Sequence, residues 1–124
     1  MTTNITLYGI PNCDTVKKAR RWLQLRGIEH RFVDFKKQAP TAARLEHWAA
    51  AVGWDRLLNR QGTTWRGLDA HVRDGVTDAS SACKVMLAHP STIKRPVIEV
   101  GERRMVGFDE QALQDLLALQ SKAA

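Results

Sequence analysis

The chain has 124 residues, of which 44% are hydrophobic and 26% charged, and only two are cysteines. That balance suits one globular domain able to bury its own core, and it excludes a small scaffold dependent on disulfide staples. The net charge of +6 permits anionic ligands or acidic partners. The basic residues are scattered, however, and few aromatics alternate with them, so the charge reads as a solvated surface and nucleic acid is not an expected partner.

No apolar run approaches the length of a membrane span, and MTTNITLY lacks the charged-then-apolar pattern of a signal peptide. A cytoplasmic monomer with no membrane partner is therefore expected. Cys13 and Cys83 have no CxxC pairing and no metal-ligand spacing, and read as free thiols with no metal site.

In chain order, residues 4–8 form a β-branched, aromatic run that predicts a first strand. Gly9, Ile10 and Pro11 break it, and a helical pattern follows over 13–26, with Val16, Ala19 and Leu23 as its core stripe. Cys13 sits where this helix starts. Free N–H groups and the positive end of the helix dipole favour an anion there, and a thiolate is the reactive form of cysteine. Lys17, four residues on, adds a cation on the same face. Gly27 stops the helix, and His30 to Asp34 alternates as a second strand. The short strand–helix–strand unit predicts two parallel strands.

The middle of the chain is helical. A Thr41 cap opens a helix over 41–52, Trp54 to Asn59 is a shorter one, and Thr63 to Leu68 a further turn. Thr77 to Ala88 places Ala79, Ala82, Cys83, Met86 and Leu87 on one face, ended by His89-Pro90. Residues 97–100 read as a strand, Gly101-Glu102 as a hairpin turn, and Arg103 to Val106 as the returning strand. Asp109 caps a last helix with Leu113, Leu116 and Leu117 on its apolar side, and Gln120 to Ala124 reads as a frayed tail. The four tryptophans read as packing residues. The order βαβ, helices, ββα is that of an α/β, thioredoxin-like core with a mixed four-stranded sheet, helices on both faces and a helical insertion. One domain over 1–124 is expected, with its core at about 4–36 and 90–119 and the insertion at about 41–89.

Three segments, Leu7 to Ala19 (LYGIPNCDTVKKA), Leu57 to Leu68 (LLNRQGTTWRGL) and Ile93 to Val97 (IKRPV), followed by Gly107-Phe108, carry a resemblance. In this order they resemble the arsenate-reductase-like ArsC/Spx family, most closely its YffB-like subgroup. The resemblance implies a single nucleophilic cysteine, Cys13, with Arg95 pointing into the site and a cis bond before Pro96 that opens backbone groups to an extended thiol peptide. Arg60 matches a second family arginine. Where the arsenate reductases carry a histidine in the lead-in, a serine three residues after the cysteine and a third arginine after the hairpin, this chain has Gly9, Val16 and Gly107. Fewer groups to hold a dianion predict weak arsenate binding.

The activity this implies is that of an oxidoreductase, a glutathione-dependent thiol-disulfide reductase working through a mixed disulfide. Catalysis falls to Cys13 and Arg95, and substrate binding to Asn12, Thr15, Lys17, Arg60 and Pro96, with Thr15 a hydrogen-bond donor to sulfur. No cofactor is bound. Glutathione is the co-substrate, a thiol, disulfide or oxyanion the substrate, and glutaredoxin an optional partner. The alternatives are an Spx-like regulator docking on RNA polymerase, or weak arsenate reduction coupled to glutathione and glutaredoxin. Val16 fills the place of the second cysteine of the Spx switch.

Overall fold

The computed structural model describes residues 4–123, with side chains to residue 120. In order the elements are β1 (Ile5–Gly9), α1 (Asp14–Leu25), β2 (Arg31–Asp34), α2 (Ala42–Val52), α3 (Trp54–Leu57), α4 (Thr63–Arg66), α5 (Ala70–Asp74), α6 (Ala79–Ala88), a 3-10 turn (Pro90–Thr92), β3 (Val97–Val100), β4 (Arg103–Val106) and α7 (Glu110–Ala123). They form two compact units. One joins Met1–Asp34 to Arg95–Ala124, and the other is Phe35–Lys94.

The first unit is a four-stranded mixed sheet of order β2-β1-β3-β4. β1 runs parallel to β2, with Leu7 opposite Phe32, and antiparallel to β3, with Leu7 opposite Ile98. β3 and β4 form the expected hairpin. Because β1 is interior it is buried along its whole length, whereas β2, at the edge, is partly exposed. His30 falls just outside β2. Alternation puts Ile5 and Leu7 of β1, and Ile98 and Val100 of β3, on one face of the sheet. The α1 stripe of Val16, Ala19, Trp22 and Leu23 and Leu113 of α7 complete that cluster. Both helices of this unit thus join one core. Asp109 caps α7, its carboxylate accepting the Ala112 N–H at 3.0 Å. The helix continues through the expected frayed tail to Ala123, and Ala124 lies outside the described residues.

The second unit is built around α2 and α6. Thr41 caps α2, its hydroxyl accepting the Arg44 N–H at 3.2 Å. Leu45 and Trp48 are fully buried. α6 starts at Ala79 rather than Thr77 because Asp78 and Ser81 form a reciprocal capping box there. Its apolar face is narrower than the spacing suggests. Ala82 and Met86 are buried, but Leu87 is 46% exposed and Cys83 half-buried. The small side chains Ala42, Ala49, Ala50, Ala79 and Ser80 leave a groove of about 530 Å³ beside them. α5 was not foreshadowed, since it is one short turn with no buried residue. The chain from Pro90 to Lys94 belongs to this unit through the Leu58–Ile93 bridge and the Lys94 N–H, which donates to Leu57 O at 2.8 Å.

Candidate active site

Cys13 is the N-cap of α1. Its backbone is extended (φ −125°, ψ 125°), and its carbonyl accepts the Lys17 N–H at 2.9 Å, the first bond of the helix. At an N-cap the side chain faces the free N–H groups two and three residues on. Here those belong to Thr15 and Val16. The Cys13 side chain makes no hydrogen bond of capping geometry, and its sulfur stands where a serine or aspartate oxygen stands in ordinary caps.

The electrostatics follow from that position. Burial of the sulfur pushes the thiol pKa up. The Val16 N–H, the Arg95 guanidinium as a hydrogen-bond donor, the Thr15 N–H and the positive charge of Arg95 push it down by more, leaving Cys13 below the ordinary thiol value. The sulfur is half-buried and packs against the edge of the core cluster. It is neither sealed in the apolar interior nor remote from the guanidinium. Among the described residues no group of three or more His, Cys, Asp and Glu side chains is arranged to hold a metal ion.

Arg95 reaches this place because it lies two residues before β3, which pairs with β1, whose end feeds the turn to Cys13. The Arg95–Pro96 bond is cis. Pro96 itself is buried, and its carbonyl accepts the Gly107 N–H at 2.8 Å, so that oxygen is engaged within the hairpin.

The other expected residues divide. Lys17 does not serve the sulfur. Its side chain is exposed and its ammonium donates to Asn12 Oδ1 at 3.4 Å, tying down the loop before the cysteine. Asn12 is exposed and acts as the acceptor of that bond. The Thr15 contribution comes from its backbone N–H rather than its hydroxyl. Arg60 lies in the second unit, where its guanidinium sits 5.2 Å from the Trp54 ring centre. The Val16 N–H is one of the free helix-end N–H groups expected to favour an anion at Cys13, and the structure singles it out as the strongest of the donors there. Its place at the third helical position was the available signal. Cys83 is half-buried like Cys13, but its thiol is shifted the opposite way. Burial and the Glu46 carboxylate push its thiol up.

The three departures from the arsenate-reductase pattern each have a local cause. Val16 is fully buried in the core. Gly9 lies against it, so that a methyl group at position 9 would meet Val16 Cγ2 at 2.6 Å. Gly107 has φ +78°, a conformation that an arginine would adopt only with strain.

Residues 8–116 match the model of the ArsC family. An uncharacterized protein of Haemophilus influenzae is 40% identical over 114 residues, covering 92% of this chain and 99% of the relative. The global transcriptional regulator Spx of Streptococcus pyogenes is 24% identical over 121 residues, covering 92% of this chain and 85% of the relative. Among solved structures, a YffB protein superposes with TM-score 0.88 at 44% identity, covering 92% and 99% of the two chains. An arsenate reductase related protein of Brucella melitensis does so with TM-score 0.71 at 47% identity, covering 90% and 92%.

Proposed function

The chain belongs to the ArsC family, and from that premise we propose that it is a glutathione-dependent thiol-disulfide reductase with Cys13 as its single nucleophile. The observation that carries this reading is the pairing of a helix-capping sulfur with the Arg95 guanidinium, which lowers the Cys13 thiol below its ordinary value and so favours the thiolate.

The Cys13 thiolate attacks one sulfur of a disulfide RS–SR′. A Cys13 Sγ–SR bond forms, the S–S bond breaks, and R′S⁻ leaves with the electron pair. A glutathione thiolate then attacks the substrate sulfur, giving GS–SR and returning Cys13 as thiolate. A second glutathione releases RS⁻ and leaves oxidised glutathione. Two electrons pass from two glutathiones to the substrate. Glutathione, rather than Cys83, is assigned to resolve the mixed disulfide, since burial and the Glu46 carboxylate raise the Cys83 thiol and disfavour its thiolate. Arg95 stabilises the sulfur each time it leaves or attacks, and the Asn12–Lys17 contact sets the loop that admits the substrate.

Arsenate is the weaker substrate in this reading. Gly9, Val16 and Gly107 supply no charge-assisted contact to a dianion, and each such contact is commonly worth about 1.5 to 3 kcal/mol. The likeness to Spx supports a second reading, a regulator on this fold. Val16 at the third position after Cys13 leaves that reading without a dithiol switch in the first turn of α1.

Mass spectrometry after treatment with glutathione disulfide tests the proposal. One glutathione adduct on the wild type, absent from Cys13→Ser and removed by reduced glutathione, supports it. An unmodified Cys13 refutes it.

A further inference from the structure

The basic residues are scattered along the chain, but α1 gathers several of them. Lys17, Arg20, Arg21 and Gln24 lie at helical spacing on the side of α1 away from its buried stripe. With Leu25 they line an open hollow of about 590 Å³ that has no carboxylate in its wall. α1 carries four basic residues against one acid, Asp14, a net +3 within a chain of net +6. The arrangement works against the helix. Like charges three and four residues apart repel, as Lys17 does with Arg20 and Arg21, and Lys17 also stands near the positive end of the helix dipole. None of the three makes an ion pair among the described residues. Arg20 is held in place all the same, its guanidinium 4.3 Å from the Phe32 ring centre. Leu25, 73% exposed, ends the row with an apolar side chain open to solvent.

A row of cations that repel one another is relieved by a negatively charged partner, and its place in the fold says which kind. The Lys17 N–H bonds the Cys13 carbonyl at 2.9 Å, so the row begins one turn from the sulfur. It then follows a helix of 12 residues, a length of about 18 Å, which is the reach of a peptide segment rather than of a small anion. Disulfides belong to polypeptides and not to nucleic acids, and the exposed Leu25 suits an apolar side chain better than a phosphate backbone. We propose that the face of α1 formed by Lys17, Arg20, Arg21, Gln24 and Leu25 docks an acidic polypeptide segment and so presents that segment's disulfide to Cys13. The inference rests on the reductase reading and names its substrate class, a disulfide carried by a protein that is acidic around its cysteine.

The test uses the full chain and two synthetic peptides, each with one leucine and one cysteine held in a disulfide with mercaptoethanol. Glutamates flank the cysteine in the first peptide and serines in the second. With glutathione as reductant, kcat/KM is expected to be about tenfold or more higher for the acidic peptide at low salt. The gain should lie in KM and fade as salt screens the charges. Arg21→Glu, a change at an exposed position, should cancel the preference and leave turnover of hydroxyethyl disulfide, which is small and uncharged, as it was. Binding is read separately by fluorescence anisotropy, on versions of both peptides with serine in place of the cysteine. The acidic version should bind the more tightly, to the wild type and to Cys13→Ser alike. Equal kcat/KM for the two disulfide peptides, a preference that survives Arg21→Glu, or a DNA duplex bound more tightly than the acidic peptide would overturn the proposal. So would a loss of hydroxyethyl disulfide turnover in Arg21→Glu, because the arginine would then serve glutathione or the fold. A chain that binds the acidic peptide yet forms no glutathione adduct at Cys13 keeps the docking face and loses the reductase function. One that forms the adduct yet binds both peptides alike keeps the function and loses the docking face.

Discussion

A methyl group placed on Gly9 would stand 2.6 Å from Cγ2 of Val16. The end of β1 and the first turn of α1 therefore close on each other directly beneath the Cys13 cap. Val16 has no room to retreat, being fully buried among Ile5, Leu7 and Leu23. Gly9→Ala is expected to destabilise the chain by about 1 to 3 kcal/mol through overpacking. Combining it with Val16→Ala should recover part of the loss, because the removed methyl groups make the space the new one needs. Urea denaturation of the two single variants and the double variant measures the coupling. Strictly additive losses would show that the two positions are independent.

The two cysteines should separate cleanly by reactivity. Cys13 lies below the ordinary thiol value, and Cys83 above it. Iodoacetamide near neutral pH is expected to label Cys13 well before Cys83, as read by peptide mass spectrometry. Equal labelling would contradict the electrostatic contrast.

A lowered thiol pKa is also a statement about stability. The group binds its proton more weakly in the folded chain than in the unfolded one, so folding is favoured as the pH rises between the two values. The stabilisation is fully present above the unfolded thiol pKa, about 8.5, and fades as the pH falls through the folded value. The stability difference between wild type and Cys13→Ser should therefore increase from about pH 6 to about pH 9.5. A difference that stays flat across that interval, or shrinks toward alkaline pH, would be inconsistent with a native thiolate.

Lys17 offers a control. It was expected to attract the sulfur, but its ammonium is turned toward Asn12 Oδ1 and exposed to solvent. An exposed charge is strongly screened. Lys17→Gln should leave the pH midpoint of Cys13 alkylation nearly where it is. A large upward movement would return Lys17 to the role the helical spacing suggested.

The sheet was legible because its strands carry clean signals. Ile5 to Tyr8 is a β-branched run, and Val97 to Val106 is two strands around a Gly-Glu turn. α1 was legible for the same reason, from Val16, Ala19 and Leu23 at helical spacing to Gly27. α5 was not, because five residues with no buried side chain leave no periodicity to read. Nor was the groove beside Cys83, since alanines score as apolar in a pattern yet fill too little volume to close a face. At the site, the residue types were readable and their aim was not. Spacing placed Lys17 above Cys13, but only side-chain geometry shows it bonded to Asn12.

The central claim is that Arg95 and the first N–H groups of α1 together lower the Cys13 thiol and favour its anion. The direct measurement is the rate of Cys13 alkylation against pH in the wild type and in Arg95→Met, with Cys83 replaced by serine in both. The wild-type midpoint is expected below the free-cysteine value of about 8.5, and Arg95→Met should move it upward by about one pH unit or more. A wild-type midpoint at or above the free value, or one that does not move when the guanidinium is removed, would contradict the account.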